Sequence, residues 1–131
     1  MSSVINTPIS PGELLDKITV LEIKAERIID PARLANVKTE LNLLHKTKAE
    51  HFSMAPELEV LAERLKKSNQ EIWDYGEKIR ELGEAKEFGE AFVKVAWDIH
   101  VSNDRRAALK KEINLLLGSK IIEEKSYKHW K

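Results

Sequence analysis

The chain has 131 residues, 42% hydrophobic and 34% charged, with 5 Gly, 4 Pro and no Cys, a composition suited to helices with solvated faces and poor in turn-formers for β structure. Lys plus Arg and Asp plus Glu both number 22, so no net field draws the chain to nucleic acid or to an anionic membrane. The lack of cysteine excludes disulfides, thiolate nucleophiles and zinc–thiolate sites and fits a reducing compartment, so a cytoplasmic protein is expected.

The opening MSSVINTPISPG has neither the basic start nor the apolar run of a secretory signal. No later stretch approaches the roughly 18 uninterrupted apolar residues of a membrane span. One all-α domain over residues 1–131 is the expectation, without internal repeats or linkers.

Ser10-Pro11-Gly12-Glu13 places Ser at N-cap, Pro at N1 and Glu at N3, which predicts a helix opened by a capping box. Ile9 and Leu14 occupy the positions of a hydrophobic staple. Leu14, Ile18, Leu21, Ala25 and Ile28 then form one apolar stripe, giving a first helix over about residues 10–29. Asp30-Pro31 repeats the start signal, with Ile29 and Leu34 at staple positions. The second helix, about 30–52, carries Leu34, Val37, Leu41, Leu44 and Phe52, and its near-zero connection to the first predicts a tight hairpin.

Pro56 marks a third helix over about 56–82, with Leu58, Leu61, Leu65, Ile72 and Ile79 on one face and Gly83 as its stop. The fourth, about 88–117, has Phe88, Phe92, Val95, Ile99, Ile113 and Leu117 on its face and ends at Gly118. Helices three and four are the long ones, and residues 118–131 form a short C-terminal tail. Short connections predict an antiparallel helical bundle built of two helical hairpins.

The fourth stripe is broken in its middle, because Asn103, Arg106 and Lys110 project between Ile99 and Ile113. Pairing helices three and four about a turn at 84–87 brings Ser68 and Asn69 opposite Ser102 and Asn103 as one polar layer. Lys17 and Lys24 share an edge of the first helix beside its stripe and are expected to reach the same interior. Lys17, Lys24, Asn69, Asn103, Arg106 and Lys110 are therefore the candidate ligand-binding residues, the cations meeting an anionic group and the amides orienting it. The alternative is structural: buried polar layers fix helix register, and Asp16, Glu22, Asp104 and Glu112 are available to neutralise the cations.

His45, His51, His100 and His129 show no metal-site spacing, so no metal and no cofactor are expected. Gly-rich phosphate loops, nucleophile elbows and dinucleotide fingerprints do not occur. The Arg105, Arg106, Lys110, Lys111 cluster is interrupted by acids and reads as a solvated helix face, so no nucleic-acid partner is expected.

TPISPGELLDKITVLEIK, NDRRAALKKEIN and EEKSY resemble an uncharacterised family of small bacterial all-helical proteins, one of the domain-of-unknown-function families, over nearly the whole chain. The resemblance carries no activity with it. Its polar motif positions are Asp16, Lys17, Glu22 and Lys24 in the first stretch, Asn103, Asp104, Arg106, Lys110 and Asn114 in the second, and Glu123, Glu124 and Tyr127 in the third.

The functional expectation is a non-catalytic helical binding or scaffold protein that holds an anionic small molecule at this polar centre. The alternative is a small helical enzyme with a cation-lined pocket, analogous in fold alone to chorismate-mutase-like proteins. A second stripe on helix four, Val93, Trp97, Val101, Ala108 and Leu115, calls for a cover. We expect a homodimer anchored at Trp97, the alternative being that the tail and first two helices wrap that side.

Overall fold

The computed structural model describes residues 3–126 and contains four helices: α1 (Pro11–Arg27), α2 (Pro31–His51), α3 (Pro56–Glu84) and α4 (Glu90–Leu116). Tyr127 and His129 lie outside the described residues. Neighbouring helices pair as hairpins, α1 with α2 and α3 with α4, and α1 also packs against both α3 and α4. The chain is thus an all-α bundle in which α1 is the central element and α2 touches α1 alone.

Centrality changes the burial of α1. Its single predicted stripe becomes a nearly all-round buried surface that includes Leu14, Leu15, Ile18, Leu21 and Ile23, because three helices surround it. The edge bearing Glu13, Lys17, Val20 and Lys24 escapes full burial, these residues lying close together at 100° per residue, as do Glu22 and the last turn from Ala25 to Arg27. Leu15 joins Leu58, Leu65 and Ile113 in the core, with Phe52, Met54 and Leu109 packed on it. In α2 only Val37 is buried, as expected of a helix with one partner.

Both predicted helix starts hold. Ser10 accepts a hydrogen bond from the Glu13 amide at 3.1 Å, and Asp30 accepts one from Arg33 at 2.9 Å, each followed by Pro at the first helical position. Two details differ. The Glu13 carboxylate does not return to cap Ser10 but reaches Lys110 at 2.6 Å, so half of the capping box is formed. Ile29 is 91% exposed and closes no staple. The chain between α1 and α2 is extended at Ile28, and neighbouring residues of an extended segment face opposite ways, so Ile28 turns in and Ile29 out.

α3 passes through Gly83 and stops at Glu84. Glu87 donates to the Leu82 carbonyl and Lys86 to that of Gly83, the Schellman pattern, so the left-handed position falls on Lys86 (φ 58°). At the end of α4 the same pattern places Gly118 (φ 64°) there. Phe88 precedes α4 and is exposed.

Candidate functional site

α1 enters the bundle against α4 at one very close approach. The Gly12 amide donates to the Asn114 side-chain oxygen at 2.7 Å, and a Cβ on Gly12 would lie 2.5 Å from the Lys110 carbonyl oxygen. Glycine is required there by space rather than by backbone angle. This docking sets the depth at which α1 presents Glu13, Asp16 and Thr19 to the other two helices.

One turn deeper lies a polar layer. Asn69 of α3 donates to Asp16 Oδ1 at 2.9 Å and to Thr19 Oγ1 at 2.8 Å, and Thr19 donates to the Asp16 carbonyl. Ser68 donates to the Ser102 carbonyl at 3.4 Å, the register expected for the α3–α4 hairpin. Lys110, whose side chain is 12% exposed, contacts Glu13 at 2.6 Å, Glu123 at 3.4 Å and Asp16 at 3.9 Å. Burial works against the charged ammonium, yet the hydrogen bond to Glu13 and the charges of Asp16, Glu13 and Glu123 outweigh it and raise the Lys110 pKa above its ordinary value. Among the described residues, no buried side-chain polar atom lacks a partner.

The adjoining side of α4, toward the tail, is different. The tail doubles back from Gly118, fixed by a Ser119–Ile121 turn, and runs along α4 so that Glu123 meets Lys110 and Glu124 meets Lys111 at 3.5 Å. The hydrogen bond from Lys125, opposed by burial and aided by Lys110, holds the Glu123 carboxyl below its usual range. Between tail and helix are two adjoining clefts of about 260 and 240 Å³, both bordered by Asp104, Ala107, Lys110, Glu123 and Lys125. His100, Asn103 and Arg106 line the second.

The six candidate residues therefore separate. Asn69 and Lys110 belong to the buried layer, and Arg106 bridges to it by one long hydrogen bond, 3.4 Å, to Asn69 Oδ1. Asn103 turns from the layer into the cleft. Lys17 and Lys24 join neither the layer nor the clefts: Lys17 is exposed beside Glu13, at 3.8 Å, and Lys24, partly buried, lies two turns further along the same edge.

Apolar stripes do not signal Thr19, which accepts from Asn69, or the anchoring role of Asn114. A glycine inside the first turn of a well-capped helix was the available signal for Asn114, since such a residue is costly unless something approaches closely. Among the described residues no group of His, Asp and Glu is arranged to hold a metal, and no helix is long and apolar enough to cross a membrane.

The three motifs that suggested a family therefore meet in space, the first supplying Glu13 and Asp16, the second Lys110 and Asn114, the third Glu123. A family model described as a family of unknown function, DUF6165, matches residues 5–130. The chain belongs to DUF6165. No curated protein and no solved structure matches the sequence. For this DUF6165 chain, the layer and the cleft must therefore be read from their own chemistry.

Proposed function

We propose that this protein is a non-catalytic helical binding protein that holds a small anionic group in the cleft between α4 and the tail, with Arg106 as the principal anchor. One observation carries the reading: the half-buried Arg106 guanidinium lines the cleft, makes a single long hydrogen bond to Asn69, and pairs with no carboxylate among the described residues. An arginine offers five donors in a planar fork suited to carboxylate or phosphate, so most of its capacity is open to a ligand. Asn103, which makes no side-chain hydrogen bond among the described residues, and His100 stand beside it. The cleft of about 240 Å³ suits a ligand smaller than drug-sized.

The buried layer supports binding over the catalytic alternative. Lys110 is neutralised by three carboxylates and Asp16 is held by Asn69, so neither is poised to act on a substrate. A thermal-shift titration with inorganic phosphate and short carboxylates tests the reading. A stabilising shift that disappears in Arg106→Gln is the expected result; no shift with any of these anions defeats it.

A homodimer is the accompanying proposal, supported by the second stripe of α4. Val93 is 63%, Trp97 48% and Leu115 61% exposed, so these three side chains leave apolar surface open to a second copy. Sedimentation at micromolar concentration should give twice the monomer mass, and Trp97→Glu should return it to one. A bacterial, cytoplasmic setting completes the proposal, consistent with a chain free of cysteine.

A further inference from the structure

The second cleft contains more than a free cation. Asp104 also borders it, and its carboxylate, like the Arg106 guanidinium, has no ion-pair partner among the described residues. Apart from His100, which also borders the cleft, the acids and bases close by are matched to one another: Lys110 with Glu13, Asp16 and Glu123, Glu123 with Lys125, and Lys111 with Glu124. Asp104 and Arg106 do not neutralise each other, because residues two apart on a helix point away from one another. One open negative group and one open positive group therefore border the same small cavity from different directions.

We propose that the ligand is a small zwitterion, a molecule carrying a carboxylate or phosphate at one end and a protonated amine at the other. Its anion engages Arg106 with Asn103, and its ammonium engages Asp104. The inference rests on the anion-binding reading above and specifies what the rest of the ligand must be. A purely anionic ligand would leave Asp104 facing a second negative charge across the cleft, whereas a zwitterion satisfies both groups and leaves the paired charges around Lys110 undisturbed. A cavity of about 240 Å³ limits the class to small amino acids and aminoalkyl carboxylates or phosphates.

Calorimetric titration of the full chain with β-alanine, propionate and propylamine separates the possibilities, because the two simple probes are the halves of the zwitterion. The expected result is that β-alanine binds at least roughly tenfold more tightly than propionate or propylamine. Asp104→Asn should bring β-alanine down to the level of propionate while leaving propionate binding intact or improved, and Arg106→Gln should remove both. Circular dichroism of each variant establishes that it is folded. If propionate binds in an Arg106-dependent way but β-alanine binds no better, or if Asp104→Asn leaves the preference for β-alanine intact, the zwitterion inference is overturned and the anion site stands. If neither binds, both fail.

Discussion

The two sides of α4 use the same kinds of residue to opposite ends. Toward α1, Lys110, Asn69 and Asp16 are enclosed and partnered, so their polarity fixes how three helices register. Toward the tail, Asp104, Asn103 and Arg106 border an open cleft and retain most of their capacity to bind. Sequence position does not separate the groups, since Asn103, Arg106 and Lys110 occupy neighbouring positions on one helix face. What separates them is whether another helix supplies a partner.

That contrast predicts large stability effects on the enclosed side, beginning where α1 docks. Gly12→Ala places a Cβ against the Lys110 backbone and the Asn114 side chain, neither of which is a flexible side-chain end, and should cost about 3 kcal/mol. Urea denaturation reads this, and an unchanged midpoint would mean that α1 docks elsewhere. Asn69→Ala withdraws the donor that serves both Asp16 and Thr19, for an expected loss of about 2 kcal/mol. A loss equal to that of an exposed asparagine would erase the distinction between the two sides.

Smaller effects sharpen the same comparison. Ser10→Ala removes the acceptor for the Glu13 amide and should cost about 1 kcal/mol, and Ser10→Asp, which keeps an acceptor, should recover part of it. The tail responds to pH rather than to packing. The Glu123 pKa is lowered in the folded chain by Lys125 and Lys110, so its contribution is present above the ordinary carboxylate pKa and is lost as pH falls through the lowered folded value. Amide exchange in residues 119–126, compared at fixed intrinsic rate, should therefore lose protection in acid while the buried layer keeps its own. Simultaneous loss in both would show that tail and layer form one cooperative unit.

Much of the fold was legible because its signals are local. Ser10-Pro11 and Asp30-Pro31 mark helix starts through backbone chemistry within one turn, and the apolar periodicities of α1 and α3 identify helices whatever they later pack against. Family membership was likewise readable from three motifs spread along the chain. Pairing α3 with α4 about their short turn also gave the register that brings Ser68 to Ser102. The candidate site was legible only in part: composition and periodicity singled out Asn69, Asn103, Arg106 and Lys110 as polar residues in apolar company, without saying which would find partners.

Those partners were decided by long-range packing. Lys17 and Lys24 occupy one edge of α1, and only the placement of three helices around α1 kept that edge out of the polar layer. Gly12 and Asn114 are 102 positions apart, a separation at which no local pattern specifies contact. Glu13 shows the division most directly: its spacing from Ser10 fixed a helix start, but its carboxylate had two available donors, the Ser10 amide nearby and the Lys110 ammonium far away in sequence. Packing α1 onto α4 brought the ammonium within 2.6 Å, and a charge-assisted hydrogen bond outcompetes one to a neutral amide.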